Sequence, residues 1–347
     1  MPEPFAPQPP PAVLDAAGIP RFGRYLGAMD DVDLSALLKG PAGALRTLRR
    51  RRWMTGIVAT PEVVCATRVM DLGPFVHAFA WAVDFARKQG SSRSLVLPTG
   101  RFAFVKDFPE ENAQAQLGAG VAEFSFRRPA RENKFDVNAS SPGFPGVRSG
   151  LRLRAELFTE GAPSAVTTIA PVSSGVLRMT QKRGNLLTFG HVQTGHWRYV
   201  LDGGVGGMDY SQGIWGRQSA WTWAMALGRL QDGTPVTLNM RHGAGTRSDE
   251  VSENTVWLGA QVFPLAPVRF NGHPNDPLER SRIVSLDGAL ELELTPVWAD
   301  LRENDWKWLK LRRVQSVGKF SGRLRIDGKT IPLEALSGVL EEQHALW

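Results

Sequence analysis

The residues best suited to chemistry crowd into one stretch, from Asp202 to Asn254. Asp202–Met208 (DGGVGGM) holds four glycines in seven residues, and Asp209, Tyr210, Trp215 and Arg217 follow directly. A buried carboxyl at Asp209 could carry a raised pKa and protonate an alkene or hold a hydroxyl. Arg217 offers a planar fork of donors for a carboxylate or phosphate head group. The two can equally pair with each other across a bend, and such a pair does not preclude a ligand anchor. Trp221 and Trp223 are two apart, so on a strand they share a face, and Trp215 joins them if its loop folds in. Aromatic rings with one or two polar groups make a hydrophobic-ligand pocket, while plain core packing is the competing use of the same rings. Asn239, His242, Glu253 and Asn254 lie within one hairpin's reach. His242 with Glu253 would form an acid–base couple near neutrality, against the plainer role of a structural histidine. The candidate catalytic set is Asp209, His242 and Glu253. The candidate ligand-binding set is Tyr210, Trp215, Arg217, Trp221, Trp223, Asn239, Asn254 and Trp257.

Other chemistries find no support. His191 and His196 are five apart, on opposite faces of a strand, which is poor geometry for a shared metal. The sequence has no H-E-x-x-H and no G-x-S-x-G. The glycines before Asp209 fit neither the G-x-G-x-x-G register nor a following amphipathic helix; close backbone approach or a bulge suits them better. Cys65 is the single cysteine, which forbids an internal disulfide and a cysteine-based metal cluster. No metal and no cofactor are expected. Glu341, Glu342, His344 and Trp347 read as a docked tail.

The elements that must position these residues are strands. From Phe75 to Phe85 large side chains (Phe75, His77, Phe79, Trp81, Val83, Phe85) alternate with mostly small ones. That pattern suits a curved strand with two unlike faces; its alanines also permit a helix. Leu290, Leu292 and Leu294 alternate with glutamates, and Leu324 and Ile326 with arginines. Asp-Gly pairs at 232–233, 287–288 and 327–328 supply tight hairpin turns. Strands recurring every dozen or so residues without intervening helices predict an antiparallel all-β fold. Barrels leave no exposed edges, and the length suits two of them. Residues 1–30 are expected as an extended arm, 31–190 as a first barrel-like domain and 191–347 as a second, with the seam near Thr188–Gly195. Short helical segments precede the first strand, around Leu34–Leu38 and Ala44–Arg49.

Composition narrows the partners. The 347 residues carry 41 Lys plus Arg against 34 Asp plus Glu, a net charge of +7, and the cations are 32 Arg to 9 Lys. A nucleic-acid binder would gather that excess on one stripe, and only Arg46–Arg52 is locally dense. No nucleic-acid partner is expected. The Arg46–Arg52 run reads as a solvated lead into the first long strand, with peripheral contact to an anionic membrane as its other use. The start of the chain has no basic and apolar leader, and no stretch reaches the ~18 apolar residues of a transmembrane helix. A cytoplasmic location is expected. Tryptophan is the compositional outlier, eleven against three tyrosines.

Gly207-Met208-Asp209-Tyr210-Ser211-Gln212-Gly213-Ile214-Trp215, then Arg217 and Ala220-Trp221-Thr222-Trp223, resemble the signature of the bacterial domain-of-unknown-function 2804 family. Arg52-Trp53, Val69–Gly73, Glu253–Trp257, Gly318–Gly322 and Gly338–Trp347 match it in the same order. Where members commonly carry a basic residue and a proline, this chain has Gln212 and Gly216. More distantly, the family is similar to the tandem lipocalin-like fold of carotenoid 1,2-hydratase, whose relatives act on isoprenoid or other hydrophobic substrates by acid chemistry. The resemblance implies two packed antiparallel lipocalin-like barrels and no established activity. Three functions are open: binding of a hydrophobic small molecule or lipid, acid catalysis of the hydratase, isomerase or cyclase type, and a structural or partner-binding module.

Overall fold

The computed structural model describes residues 4–143, 150–195, 197–243, 251–272, 276–305, 307 and 310–346. His196 and Trp347 lie outside the described residues. The protein is all-β, with two packed antiparallel lipocalin-like barrels and two short helical segments near the N-terminus.

The first sheet takes its strands from the first two-thirds of the chain. They are β1 (Gly23–Leu26), β2 (Arg50–Ala59), β3 (Val63–Asp71), β4 (Phe75–Asp84), β5 (Gln89–Pro98), β6 (Ala103–Val105), β7 (Gln114–Ala119), β8 (Ala122–Arg127), β9 (Lys134–Ser141), β10 (Leu151–Phe158), β11 (Val166–Pro171), β12 (Leu177–Thr194), β13 (Trp197–Val200) and β14 (Val205–Ile214). Its main path runs β5-β4-β3-β2-β14-β12-β10-β9-β8-β7-β6, and β6 returns against β3, so the sheet nearly closes. The second sheet holds β15 (Gln218–Arg229), β16 (Pro235–His242), β17 (Thr255–Leu258), β18 (Gln261–Pro264), β19 (Val268–Asn271), β20 (Ser281–Ser285), β21 (Leu290–Asp305), β22 (Lys310–Ile326) and β23 (Lys329–Leu346). Its order is β18-β17-β16-β15-β23-β22-β21-β20-β19, a half-barrel. The Thr188–Gly195 stretch, expected as a seam, begins inside β12, and the chain passes from one sheet to the other between Ile214 and Gln218.

Both helical segments precede β2. A 3₁₀ turn spans Ser35–Leu38, and the Asp33 carboxylate accepts the Ser35 backbone N–H at its start. The helix α1 (Gly43–Arg49) leads into β2. The N-terminal arm is tied down: β1 pairs with β11, and Val13, Met29 and Val32 are buried in the first barrel's core.

Period-2 alternation builds three apolar layers from these strands. One face of β2, β3, β4 and β14 fills the first barrel, with Met54, Cys65, Ala78, Ala80 and Tyr210. The opposite face of the same strands, with Trp53, Met70, Phe79 and Trp81, packs against Trp221, Trp223, Met225, Val317 and Val339 of the second sheet. The second sheet's other face encloses its own core around Leu238, Leu292 and Phe320. The size alternation in β4 now has its cause. Its alanines face the crowded barrel interior, and its aromatic rings fill the layer between barrels. Gly207 marks how closely the sheets approach, since a Cβ there would lie 2.7 Å from the Met225 sulfur.

Candidate functional site

A strand that carries one polar residue to a face carries the residues two before and two after it to the same face. On β12 this rule places Arg178, Thr180 and Lys182 together, and on β14 Asp209 and Ser211. Register aligns them across strands: Lys182 lies opposite Asp209, Asp209 opposite Thr55, and Thr55 opposite Arg68. One transverse row of the first sheet therefore reads Lys182, Asp209, Thr55, Arg68, all turned toward the second sheet. There the matching row reads Arg241, Trp223, Glu341, Gln315. The two rows close on each other in the layer between the barrels.

Asp209 is 4% exposed. One of its oxygens receives Lys182 Nζ at 3.0 Å and the Ser211 hydroxyl at 2.8 Å; the other accepts the Trp53 indole N–H at 3.1 Å. Glu253, at the entry to β17, accepts Arg178 at 2.7 Å and the Thr180 hydroxyl at 2.9 Å, with Lys182 at 3.5 Å and Arg241 at 3.9 Å. Burial by itself would raise the Glu253 carboxyl; Lys182, Arg178 and Arg241 outweigh it and hold the group well below the usual carboxylate range. Burial, with the neighbouring Arg178, pushes the Arg241 guanidinium down to about 9, against the pull of Glu253 and Asp209. Arg68 meets both oxygens of Glu341, at 2.8 and 2.9 Å, and donates through Nε to the Thr55 hydroxyl.

Aromatic rings wall the cluster. Trp53 and Trp221 stack at 6.1 Å with 7° between planes, and Trp215 lies 5.6 Å from each. Arg241 lies over Trp221 and Trp215, while Lys182 and Arg68 lie over Trp223. Four cations (Arg68, Arg178, Lys182, Arg241) thus face three carboxylates (Asp209, Glu253, Glu341) around a chamber of about 20 Å³, room for roughly one water.

An open cleft of about 1090 Å³ abuts this wall. Ser219 and Ala220, which line it, immediately precede Trp221 on β15. Leu311 and Ala345 line it too and belong to the same packed layer as Trp53, Trp215 and Trp221. Among the described residues the tryptophans line the chamber and not the cleft; Ser219, two before Trp221 on β15, is the step between them.

The structure gathers Asp209, Glu253, Trp215, Trp221 and Trp223 at this chamber, and the rings face the neighbouring barrel rather than a barrel lumen. Asn239 stands just behind, accepting the Trp223 indole N–H at 2.8 Å and donating to the Glu253 carbonyl at 2.8 Å. Asn254 braces the loop: its side chain accepts the Arg241 backbone N–H, and its carbonyl accepts Arg24 from the arm. Other candidates lie elsewhere. Arg217 is exposed on the open cleft, whereas Asp209 is occupied by Lys182, Ser211 and Trp53. His242 is exposed, because the alternation that turns Arg241 inward turns its neighbour outward, and it is not brought to Glu253. Tyr210 points into the first barrel and donates to the Lys106 carbonyl at 3.3 Å. Trp257 covers Gly184 and donates to the Ser164 carbonyl at 2.9 Å. Gln212 is fully buried and bonded to Arg50 and to the Val32 carbonyl.

Sequence reasoning missed Trp53 as a wall of the site and all four cations. Arg178, Thr180 and Lys182 at i, i+2, i+4 were an available signal, as was Arg68, the one cation in the mostly apolar run VVCATRVMD. Glu341 does not sit in a docked tail; β23 pairs with β15 and β22 in mid-sheet, and Glu341 is 1% exposed. The dense run Arg46–Arg52 is largely engaged internally: Arg50 and Arg52 pair with Asp107, Arg52 also with Asp71, and Arg46 donates to the Leu37 carbonyl. Among the described residues no three His, Cys, Asp or Glu side chains gather to hold a metal, and no helix is long and apolar enough to cross a membrane.

No functionally curated protein matches the chain. Solved structures do. A Nitrosomonas europaea protein provisionally assigned as AttH is 14% identical, aligned over 85% of this chain and 92% of that one, with a TM-score of 0.48. Kievitone hydratase from Nectria haematococca is 9% identical over 86% and 88%, at 0.47. CghA, solved with Sch210972, is 13% identical over 86% and 89%, at 0.49. The family model described as Domain of unknown function (DUF2804) matches residues 7–347, and the chain belongs to that family.

Proposed function

We propose that the protein binds a hydrophobic small molecule or lipid between its two barrels, in the cytoplasm. One observation carries the reading: an open cleft of about 1090 Å³, lined by Ser219, Ala220, Leu311 and Ala345, lies next along β15 to Trp221, which packs with Trp53 and Trp215. A concave site with aromatic walls and a few convergent polar groups is what an apolar ligand needs. Arg217, exposed at the cleft, can meet a polar end that stays near solvent. The test is native mass spectrometry of protein exposed to a lipid extract, paired with tryptophan fluorescence titration. A retained ligand and a shifted emission that Trp221→Ala abolishes are expected. Protein that stays empty and spectrally unchanged across the extract refutes the reading and leaves a structural module.

Acid catalysis of the hydratase, isomerase or cyclase type is the second reading. It is favoured by the enclosure of Asp209 in a chamber with room for about one water, where proton transfer would be shielded from solvent. Against it, Lys182, Ser211 and the Trp53 indole already occupy both Asp209 oxygens. Turnover of an isoprenoid or lipid substrate, lost in Asp209→Asn with ligand binding retained, would decide for catalysis.

A further inference from the structure

Three rows of side chains lead inward from the cleft along the second sheet, and register fixes their order. Ser219, Ala345 and Leu311 are paired across β15, β23 and β22, and all three line the cleft. Two residues further along each strand comes Trp221, Gln343, Arg313, and two further Trp223, Glu341, Gln315. Residues two apart on a strand are separated by roughly 7 Å, so the middle row lies one short step behind the cleft floor.

Two members of that middle row, Gln343 and Arg313, have buried polar atoms without hydrogen-bond partners. Gln343 is fully buried, yet neither its amide oxygen nor its amide nitrogen has a hydrogen-bond partner. Arg313 is 2% exposed, and its Nε and Nη1 are likewise unpartnered. Its Nη2 reaches Asp300 only at 3.5 Å, and Asp300 is already engaged by Arg302 at 3.0 Å. Across the layer, His77 on β4 is buried with Nδ1 unpartnered. Buried polar groups in folded proteins nearly always find partners, so a cluster without them marks a place that something else satisfies.

Charge says what that something is. Arg68, Arg302 and Arg313 stand against Glu341 and Asp300, an excess of one positive charge around this row. Glu341 is already hydrogen-bonded to Arg68 and Gln315, so it acts on Arg313 through space and leaves its Nε and Nη1 without an acceptor. The Phe79 ring lies 3.5 Å from the Arg313 guanidinium, which fixes the group's plane and covers one face. The remaining donors, Arg313 N–H and Gln343 Nε2, suit one compact anion entering from the cleft side, where Ser219 and Ala345 are small.

We propose that Arg313 and Gln343 form a head-group subsite for a carboxylate, so that the ligand is an apolar acid whose hydrocarbon body occupies the cleft. This rests on the binding reading above and adds the chemical class of the ligand and the place of its charged end. Arg217 at the cleft is then left to the body or the far end of the molecule.

The experiment compares dodecanoate with dodecanol, identical in chain and differing in charge, by calorimetry and tryptophan fluorescence at neutral pH. Dodecanoate is expected to bind wild type at least tenfold more tightly than the alcohol, the usual worth of one charge-assisted hydrogen-bonded contact. Arg313→Gln and Gln343→Leu should each bring dodecanoate down to the alcohol's affinity while leaving the alcohol unchanged. Equal binding of acid and alcohol, or an acid preference that survives both substitutions, overturns the subsite while leaving the cleft as a hydrophobic site. Failure of both probes to bind wild type overturns the binding reading and the subsite with it. Should Arg313→Gln not fold, the wild-type comparison and Gln343→Leu decide the outcome.

Discussion

Glu253→Gln isolates what the buried charge cluster contributes. The substitution keeps size and an acceptor for Thr180, so the 2.9 Å hydroxyl bond can persist. It removes the charge that faces Arg178 at 2.7 Å, Lys182 at 3.5 Å and Arg241 at 3.9 Å. Breaking a buried ion pair by deleting one partner costs roughly 3–5 kcal/mol, because the other charge stays buried. Lys182 retains Asp209, so the loss falls on Arg178 and Arg241, and about 3 kcal/mol is expected. With an unfolding entropy of roughly 2.1 cal/mol/K per residue, 347 residues melting as one unit would show this as a fall of about 4 °C in Tm. The sign with pH is also fixed. The folded Glu253 carboxyl lies below its unfolded value of about 4.3, so its stabilisation is complete above about pH 5 and fades as pH falls. At pH 3.5 the gap between wild type and variant should be about 1 kcal/mol smaller than at pH 7. Chemical denaturation followed by tryptophan emission measures both. A loss under about 1 kcal/mol at pH 7, or one that is the same at pH 3.5, would refute the assignment of Glu253 as the charge that holds these cations. Adding Arg178→Met should recover part of the loss, since the uncompensated cation is then gone.

Three further outcomes follow from packing and burial. Lys182→Met leaves Asp209 and Glu253 facing each other across the chamber without their shared cation, and a loss of about 3–5 kcal/mol in denaturant melts is expected. Gly338→Ala puts a Cβ 2.1 Å from the Met225 carbonyl oxygen, backbone that cannot move without parting β23 from β15; little folded protein should be recovered, whereas Gly120→Ala, with open space around it, tests the cost of its positive φ alone. Burial pushes the Cys65 thiol up and shields it completely, so a thiol reagent should label the native protein only at the rate of unfolding and denatured protein at once.

The fold was readable because it is written in period two. The Phe75–Phe85 alternation, the Asp-Gly hairpins and the absence of helical stripes all follow from local rules, and all point to antiparallel strands. The site was readable only in part. Asp209, Glu253 and the three nearby tryptophans are residues whose types attract attention wherever they stand. Lys182, Arg178 and Arg68 escaped because a charge alternating with apolar residues looks the same whether its face meets water or another sheet. Only the packing of two sheets distinguishes them, and that is a long-range fact: Arg68 meets Glu341, 273 positions away. The same ambiguity explains His242. Its type suggested an acid–base role, but a one-residue step along β16 exchanges it for Arg241.

The chamber takes Lys182, Asp209 and Arg68 from one barrel and Trp223, Arg241 and Glu341 from the other. Neither half therefore owns the chamber, and a ligand that touched both of its walls would link its own binding to the association of the barrels. Whatever binds between them must tighten their docking by the same factor that docking tightens its binding. Cut in the short link between Ile214 and Gln218, the chain would become two partners whose reassembly is measurable. A ligand would then be detectable as the molecule that holds the halves together.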